Sequence, residues 1–412
     1  MSRCLIVCLI LLLLRAADVR AQQDSTGYWI SRSPLPTPRQ EVAHAVLNGK
    51  IYVPGGLAGG GTGSTVVDVF DPASNSWSSA APLPEPLHHL GLATANSKLY
   101  VLGGYVGNSF IATDHVYEFD PDSNSWQQKS SMLVARGAHV AIAFEGKIYV
   151  MGGVQSGVGV VQRNDEYDPV ADSWRPREDM PTPREHLAGA VIDSLIYVVG
   201  GRVGSSNRNT LEAYSPATDT WYTKASMPTA RGGLAAAALN GRLYAFGGEI
   251  PGVFSQNEEY NPQTDTWREM APMVTPRHGI GAATFEDSIF VIGGGPVVGF
   301  GVSDANEAFT LTPLTGIEFA SPVIPSEYVL YQNYPNPFNP STTIEFDIPG
   351  AGLVSIKLFD LQGKLVRTLL NEMLVGGHHI LNLDASELSS GVYLYRIQTD
   401  QSVGARKMVL LR

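Results

Sequence analysis

A segment of about 48 residues recurs six times along this chain, and this repetition constrains the fold more than any other feature. Each copy contains an apolar stretch that ends in two glycines. The first glycine of each pair is residue 55, 103, 152, 200, 247 or 293, so the copies follow at steps of 48, 49, 48, 47 and 46 residues. A repeated period of this length indicates one small structural unit stacked against copies of itself. The paired glycines are Gly55, Gly56, Gly103, Gly104, Gly152, Gly153, Gly200, Gly201, Gly247, Gly248, Gly293 and Gly294.

Each unit has the pattern of four β-strands, a to d. A turn-prone pair such as Asn48-Gly49 divides the stretch before the glycines into strands a and b. Strand c ends in an aromatic residue and a turn, as in VFDP at 69–72, and strand d carries a tryptophan. Helical periodicity is absent, and a four-stranded unit buries both faces only by stacking, so the pattern predicts an all-β propeller. The strand d tryptophans are Trp77, Trp126, Trp174, Trp221 and Trp267.

These features resemble the kelch repeat, in which an apolar strand ends in two glycines and a later strand carries a tryptophan. The resemblance covers residues 27–311 and implies a six-bladed kelch β-propeller within residues 22–311. It implies no single function, because kelch propellers include adaptors, glycan binders and enzymes.

Trp29, in the sequence GYWIS at 27–31, has no repeat unit in front of it. It precedes Trp77 by 48 residues, since 77 − 29 = 48, while the sixth unit has no tryptophan after Phe309. Trp29 can thus supply the tryptophan that the sixth unit lacks. We therefore expect residues 27–31 to form strand d of the last blade and to close the ring, which would leave no open strand edge between the first and last blades.

The loops between strands b and c differ in every copy, and they are the expected ligand-binding face because variable loops on a rigid scaffold usually carry function. An arginine precedes the apolar stretch in five units, and an acid stands two residues before the strand c aromatic in the same five. The second unit lacks both and has Leu87 and Tyr117 instead. The pairs are Arg39 with Asp68, Arg136 with Asp165, Arg184 with Glu212, Arg231 with Glu258, and Arg277 with Glu307.

Two interpretations of the arginines remain open. Because each would open the innermost strand, a ring of arginines could bind carboxylates, acidic glycans or acidic peptides at the channel mouth. Alternatively, each arginine pairs with the acid of its own unit, which the joint absence in the second unit favours. Both can hold, because a paired arginine keeps spare donors. In the second unit, His88, His89 and Tyr105 break the symmetry and form a further candidate ligand site.

Composition excludes several classes of function. The chain carries a net charge of −11 without basic runs, which argues against nucleic acid or an anionic membrane as the partner. Residues 1–21 have the pattern of a secretory signal peptide, and Cys4 and Cys8 both lie in it. An exported chain without them has no disulfide and no cysteine ligand, so the copper and tyrosine–cysteine chemistry of galactose oxidase-type kelch enzymes is excluded. No metal-binding or phosphate-loop motif is present, so the sequence predicts neither a metal nor a cofactor.

The preferred function at this level is non-catalytic binding of a glycan or a protein. One alternative is a carbohydrate-active enzyme of the sialic acid mutarotase kind. Those enzymes are exported six-unit kelch propellers whose sites resemble an Arg/Glu constellation, and the arginines and glutamates above keep this option open, although general features of the repeat explain them as well. A second alternative is a structural role in the cell-surface layer.

The repeat stops after Leu311, and the proline-containing segment 312–326 has the pattern of a linker. Short alternating segments in 327–412 then predict a small Ig-like sandwich. NYPNPFNPSTTI at 333–344 and GVYLYRI at 391–397 are similar to the type A C-terminal sorting domain of the type IX secretion system. This similarity implies a Gram-negative bacterium, export through Sec, translocation by the type IX machinery and release or display at the cell surface; an ordinary adhesive sandwich is the alternative. The sorting motif comprises Tyr334, Pro335, Asn336, Pro337, Phe338, Asn339 and Pro340.

Overall fold

The computed structural model describes residues 26–311, 317–319, 327–374, 376–386, 388–399 and 401–411. The predicted signal peptide therefore lies outside the described residues. The chain divides into two compact units, residues 1–311 and 312–412. Within the described ranges, no helix has both the length and the apolar character needed to cross a membrane.

The first unit consists of six four-stranded antiparallel sheets, one for each repeat, and confirms the all-β prediction for this part of the chain. We number the sheets 1 to 6 and letter their strands a to d. The strands are, in sheet 1, Ala45–Leu47, Lys50–Pro54, Val67–Asp71 and Ser76–Ser79; in sheet 2, Gly91–Ala95, Lys98–Leu102, Val116–Asp120 and Ser125–Lys129; in sheet 3, Val140–Phe144, Lys147–Met151, Asn164–Asp168 and Ser173–Pro176; in sheet 4, Ala188–Ile192, Leu195–Val199, Leu211–Ser215 and Thr220–Lys224; in sheet 5, Ala235–Leu239, Arg242–Phe246, Asn257–Asn261 and Thr266–Glu269; and in sheet 6, Gly281–Phe285, Ser288–Ile292, Asn306–Thr310 and Tyr28–Ser31.

The sheets are arranged in a closed circle. Strand a of each sheet packs beside strand a of the next, and strand a of sheet 6 packs beside that of sheet 1. The six strands a therefore surround a central channel. Short strands also form in and beside the b–c loops, namely Leu57–Ala58, Thr62–Gly63, Leu87–His88, Tyr105–Val106, Arg136–Gly137, Val154–Gln155, Gly159–Val160, Arg202–Val203 and Ser206–Asn207.

The paired glycines allow neighbouring sheets to approach each other closely. All twelve have positive φ, and a Cβ on Gly55 would lie 2.4 Å from the Leu87 carbonyl oxygen. The group that approaches the glycine is a backbone carbonyl of the next sheet. The N–H of the second glycine donates to this carbonyl of the next sheet in the pairs Gly56 to Leu87, Gly104 to Arg136, Gly153 to Arg184, Gly201 to Arg231, Gly248 to Arg277 and Gly294 to Arg39, over 2.8–3.0 Å.

The tryptophans form an outer circle of contacts between the sheets. All six are half-buried, and each indole Nε1 donates to a backbone carbonyl in the connection that leaves strand d of the preceding sheet. The donors and acceptors are Trp77 to Ser33, Trp126 to Ala81, Trp174 to Ser130, Trp221 to Glu178, Trp267 to Ala225 and Trp29 to Ala271, over 2.7–2.9 Å.

The strand Tyr28–Ser31 completes sheet 6, which is the closure that the position of Trp29 predicts. It pairs antiparallel with Asn306–Thr310, and Trp29 lies opposite Phe309. The indole ring also packs edge-on against Phe246 of sheet 5, with ring centroids 5.6 Å apart. The first and last strands of the unit therefore belong to one sheet.

The second unit contains two four-stranded antiparallel sheets around one apolar core. Ile317–Phe319 lies inside the segment 312–326, which the sequence pattern predicts to be a linker, yet its backbone pairs with Gly377–Asp384. The rest of that segment lies outside the described residues. In hydrogen-bonded order, one sheet has Ile317–Phe319, Gly377–Asp384, Ser341–Ile348 and Val329–Leu330, and the other has Leu365–Leu374, Gly352–Phe359, Gly391–Gln398 and Val403–Leu410.

The sorting motif, residues 334–340, lies beside the C-terminal strand. Phe338 is buried in the core, its N–H donates to the Val409 carbonyl, and its own carbonyl accepts from Leu411. The Asn336 side chain bonds to the backbone of Lys407 and Val409. Tyr334, in contrast, is 79 % exposed. The motif therefore fixes the end of the chain and leaves one aromatic ring at the surface.

We expect Trp29→Ala to lower the free energy of unfolding of the first unit by about 3 kcal/mol, at the low end for loss of an aromatic side chain because Trp29 is only half-buried. The variant loses the indole hydrogen bond and the contacts with Phe246 and Phe309. Denaturant unfolding followed by tryptophan fluorescence and circular dichroism measures the change. Tyr222→Ala, which removes an exposed aromatic ring from strand d of sheet 4, is the control. Equal losses in the two variants would contradict a closing role for Trp29.

Candidate functional site

A short segment before strand a, which we call the arm, holds the arginine in five sheets. Each arm pairs with the start of the b–c loop of the same unit, as Arg136–Gly137 does with Val154–Gln155. The sequence pattern predicts that the arginine opens strand a. The structure instead places it before that strand, because the arm hydrogen-bonds to the loop and only then turns into the channel.

The five arginine side chains have no exposed surface (0 %). Each forms an ion pair with the acid of its own unit and donates to backbone carbonyls. Arg184 Nη1, for example, donates to the carbonyls of Gly200 and Thr210, while its Nη2 donates to Glu212. The ion pairs are Arg39 with Asp68 (2.8 Å), Arg136 with Asp165 (2.6 Å), Arg184 with Glu212 (2.7 Å), Arg277 with Glu307 (2.6 Å) and Arg231 with Glu258.

Burial lowers the pKa of all five arginines, in the case of Arg136 to about 10, and the paired acid opposes this shift. The guanidinium groups therefore remain charged at neutral pH, held by partners inside their own sheets. With no exposed surface, they offer nothing for an anionic ligand to contact.

Sheet 2 replaces the ion pair with a different contact. Leu87 occupies the arginine position and is buried. The Tyr117 hydroxyl donates to Glu85 Oε1 over 2.9 Å, and His115 Nδ1 lies 2.5 Å from the same oxygen. This unit therefore satisfies its strand c side chain without a buried guanidinium.

The residue two positions after the arginine, or after Leu87 in sheet 2, lies at the mouth of the central channel. In all six sheets it has the left-handed backbone conformation, with φ between 51° and 67°. These mouth-ring residues are Glu41, His89, Ala138, His186, Gly233 and Gly279. Four of them are not glycine, and a left-handed conformation at such residues is a strain that is often found at functional sites.

Backbone hydrogen bonds connect the mouth ring into a closed circle. Each N–H donates to the carbonyl of the preceding sheet's ring residue, except that Val42 makes the last link. Because the circle fixes each backbone, the side chains that leave it have defined positions. The bonds run from His89 to Glu41 (3.3 Å), Ala138 to His89 (2.9 Å), His186 to Ala138 (2.9 Å), Gly233 to His186 (3.0 Å), Gly279 to Gly233 (2.8 Å) and Val42 to Gly279 (3.3 Å).

Three side chains of the mouth ring meet. The Glu41 carboxylate lies 3.4 Å from His89 Nε2 and 3.8 Å from His186 Nε2, and one ligand atom from each residue lies within 4.8 Å of the other two. The other three ring residues are small. A Cβ on Gly279 would lie 2.6 Å from Glu41 Oε1, so glycine there provides the space for this carboxylate.

Charged side chains from the arms and b–c loops surround this group. Arg202 Nε donates to Glu185 Oε1 over 3.0 Å, and Arg202 Nη1 donates to Glu249. Glu185 accepts from His186, and His278 Nε2 lies 3.4 Å from Glu249 Oε2. The network includes three carboxylates, with Glu41, and one guanidinium, which gives a net charge of −2 when all are ionised.

Burial also shifts the titration of the three central groups. It raises the pKa of Glu41 to about 7, lowers the pKa of His89 to about 3, and holds the pKa of His186 well below its ordinary value. At neutral pH both imidazoles are therefore neutral and each has one free lone pair.

An aromatic rim borders the mouth on the side of sheet 2. The structure brings together His88, His89 and Tyr105, which the sequence singles out, and adds Phe110 from the b–c loop. Burial lowers the pKa of His88 to about 4 and raises that of Tyr105 to about 12. The Phe110 ring lies 5.4 Å from Tyr105 and 5.8 Å from His89 between centroids, and the residue is 59 % exposed. Phe110 is thus the accessible part of this rim.

Sequence reasoning missed Glu41, Glu185, His186, Arg202, Glu249 and His278. The repeat pattern could have revealed two of them. Residues at the same offset from the arginine in every repeat must lie together around the axis of the ring. Among the six residues at that offset, Glu41, His89 and His186 are the only ionisable ones.

The mouth ring opens into a channel cavity of about 160 Å³. It is smaller than the roughly 300–1,000 Å³ of typical ligand pockets, so it accommodates a small group or the end of a longer ligand.

Comparisons with known proteins agree with this architecture. The family model described as the KLHDC2/KLHL20/DRC7 Kelch-repeats domain matches residues 21–153 and 91–294, together about two thirds of the chain. The secretion system C-terminal sorting domain model matches residues 332–411. No curated protein matches.

One similar solved structure is described as "Structure of YjhT". It is 18 % identical in sequence, with a TM-score of 0.59, over 67 % of this chain and 95 % of that chain. At this level of identity the likeness concerns the fold alone.

Arg184→Met should lower the free energy of unfolding by about 3–5 kcal/mol, because it leaves Glu212 buried without its guanidinium. The double variant Arg184→Met/Glu212→Met should recover much of this loss, since the unpaired charge is gone. Denaturant unfolding of the three proteins measures the effect. Equal stability of the wild type and Arg184→Met would contradict a structural role for the pair.

Proposed function

This chain belongs to the kelch-repeat family, and from that premise we propose that it is a six-bladed propeller that binds a glycan, without catalysis, at its channel mouth. Its type IX C-terminal sorting domain makes it a secreted or cell-surface protein. The observation that carries the proposal is the polar, recessed mouth bordered by the exposed ring of Phe110.

The chemistry of the mouth suits sugar hydroxyls. Glu41, His89 and His186 present carboxylate oxygens and imidazole lone pairs, all of which accept hydrogen bonds. Sugar hydroxyls donate such bonds, and the apolar face of a sugar ring can pack on an aromatic side chain such as Phe110. The small cavity admits the end of a glycan while the rest lies across the b–c loops.

The charge balance favours a neutral glycan over an acidic one. The five arginines that one of the two interpretations assigned to an anion site are buried and paired. Arg202 is bound to Glu185 and Glu249, and the carboxylates outnumber it. A carboxylated sugar would therefore meet repulsion at the mouth. The same observation weighs against the mutarotase alternative, whose substrate is a sialic acid.

A protein ligand is the second candidate, favoured by apolar side chains exposed on the b–c loops. Contacts with such groups stabilise protein interfaces, and exposed apolar patches often mark them. These side chains are Phe110, Ile111, Val158, Val203, Val297, Val298 and Phe300.

We place the second unit in the same scheme as an Ig-like sandwich that delivers the propeller through the type IX machinery. Two four-stranded sheets share one core, and the motif at 334–340 is fixed against the C-terminal strand. The machinery is therefore the partner that we assign to residues 327–412.

Phe110→Ala should weaken glycan binding at least about tenfold, which corresponds to about 1.4 kcal/mol, and leave thermal stability unchanged because the ring is exposed. A glycan array identifies the ligand, and calorimetry with that glycan measures the affinity. Val170→Ala removes a side chain that is 83 % exposed in the c–d turn of sheet 3, and it serves as the control.

The outcome separates the candidates. Binding to acidic glycans only would refute the charge argument, and an array without any binding would favour the protein ligand. Anomer exchange of sialic acid, followed by NMR, tests the enzyme alternative; exchange faster than in buffer would overturn the non-catalytic proposal.

A further inference from the structure

The hydrogen bonds of His88 and His89 assign the tautomer of each ring. His88 Nε2 lies 3.1 Å from the Ser109 carbonyl oxygen, which only accepts, so this nitrogen carries the proton. His88 Nδ1 is then an acceptor, and it lies 2.6 Å from His89 Nδ1, which must donate. The remaining nitrogen of His89, Nε2, therefore has a free lone pair. That lone pair is on the atom 3.4 Å from the Glu41 carboxylate.

His186 has the same assignment for a different reason. Its Nδ1 bonds to the Glu185 carboxylate, which only accepts when ionised, so Nδ1 is the donor. Its Nε2 lone pair then lies 3.8 Å from Glu41 Oε2. Arg202 donates to the other oxygen of Glu185 and holds that carboxylate in place.

Acceptor atoms therefore converge at the mouth ring without a donor between them. Among the described residues, no N–H or O–H group makes a hydrogen bond to the Glu41 carboxylate. His278 also lies beside this group, with Nδ1 3.1 Å from the Gly295 carbonyl oxygen and Nε2 3.9 Å from Glu41 Oε1. Lone pairs that face each other at this distance repel, and a cation between them would relieve the repulsion.

We propose that Glu41, His89 and His186 bind one divalent transition-metal ion such as zinc, and leave a coordination position open toward the channel mouth. Two imidazoles and one carboxylate are a donor set that zinc uses with an open position. In a tetrahedral site with bonds of about 2.0–2.1 Å, ligand atoms lie about 3.3 Å apart. The separations of 3.4 and 3.8 Å from Glu41 are close to this value, and all three ligand atoms lie within 4.8 Å of one another, so the side chains must draw together to bind the ion.

The surroundings match those of a metal site in two further respects. A histidine ligand usually donates its other ring N–H to a carboxylate or another acceptor, as His186 does to Glu185 and His89 does to His88. Nitrogen ligands also disfavour calcium and magnesium, which prefer oxygen. The sequence predicts no metal because the ligands come from three separate sheets and form no local motif.

This inference does not depend on glycan binding, because the ion needs only the mouth ring. The protein is first freed of metal with a chelator and then titrated with Zn²⁺, Ca²⁺ or Mg²⁺ by calorimetry. We expect one Zn²⁺ per chain, much weaker Ca²⁺ and Mg²⁺ binding, and a visible absorption spectrum of four- or five-coordinate Co²⁺ when cobalt replaces zinc.

Variants decide whether the ion lies at the mouth ring. Glu185→Gln should weaken zinc binding about 10–100-fold, the usual effect of losing a group that orients a ligand. Glu41→Gln and His186→Gln should weaken it further and remove the Co²⁺ spectrum. His115→Gln, a histidine in sheet 2 that contacts Glu85 outside the mouth, should change neither.

Circular dichroism confirms that each variant is folded. If His186→Gln does not fold, Glu41→Gln still provides the test, because it preserves the side-chain volume. Zinc binding that survives Glu41→Gln and His186→Gln, or the absence of zinc binding by the folded wild type, would overturn the proposal. Glycan binding measured in chelator remains a separate result, so the failure of one proposal is distinguishable from the failure of the other.

Discussion

The buried arginine in five of the six arms is the interaction on which the first unit depends. It joins strands b and c of its own sheet through carbonyls and an acid, while its own carbonyl accepts a hydrogen bond from the glycine of the preceding sheet. Burying a guanidinium is unfavourable without an ion pair and hydrogen bonds, so the acid and the carbonyls define its position, although Nε of Arg39, Arg136 and Arg231 makes no hydrogen bond to any described residue. The residue two places later is thereby held at the axis. In five sheets the ion pair thus helps to position the mouth ring, and in sheet 2, where Leu87 takes the place of the arginine, the backbone hydrogen bonds of the ring accompany the same conformation of His89.

The mouth-ring position has the same backbone in all six sheets but different side chains. Six equivalent backbones have one conformation, yet three carry Glu41, His89 and His186 while three carry alanine or glycine. The small residues are needed as much as the functional ones, because Gly279 provides the space that the Glu41 carboxylate occupies. A repeat protein can in this way acquire a single site without altering its fold.

Most of the fold was predictable because the repeat places the same interactions in the same register. The glycine pairs, the tryptophans and the missing strand next to Trp29 are all visible in the spacing, and the shared absence of arginine and acid in the second unit indicated the ion pairs. The mouth was less predictable. His88, His89 and Tyr105 were found because they are unusual within one unit. Glu41 and His186 are not unusual within their own units. They are 145 residues apart in the sequence (186 − 41), and only the folded ring brings their side chains to within 3.8 Å of each other.

The pairing of Tyr28–Ser31 with Asn306–Thr310 has a mechanical consequence. Tyr28 lies opposite Thr310, so the chain enters and leaves the first unit at the same end of one strand pair. A force applied between the two ends therefore loads the hydrogen bonds of this pair one after another, as in opening a zipper, rather than all together. Tension along the chain would thus act first on sheet 6.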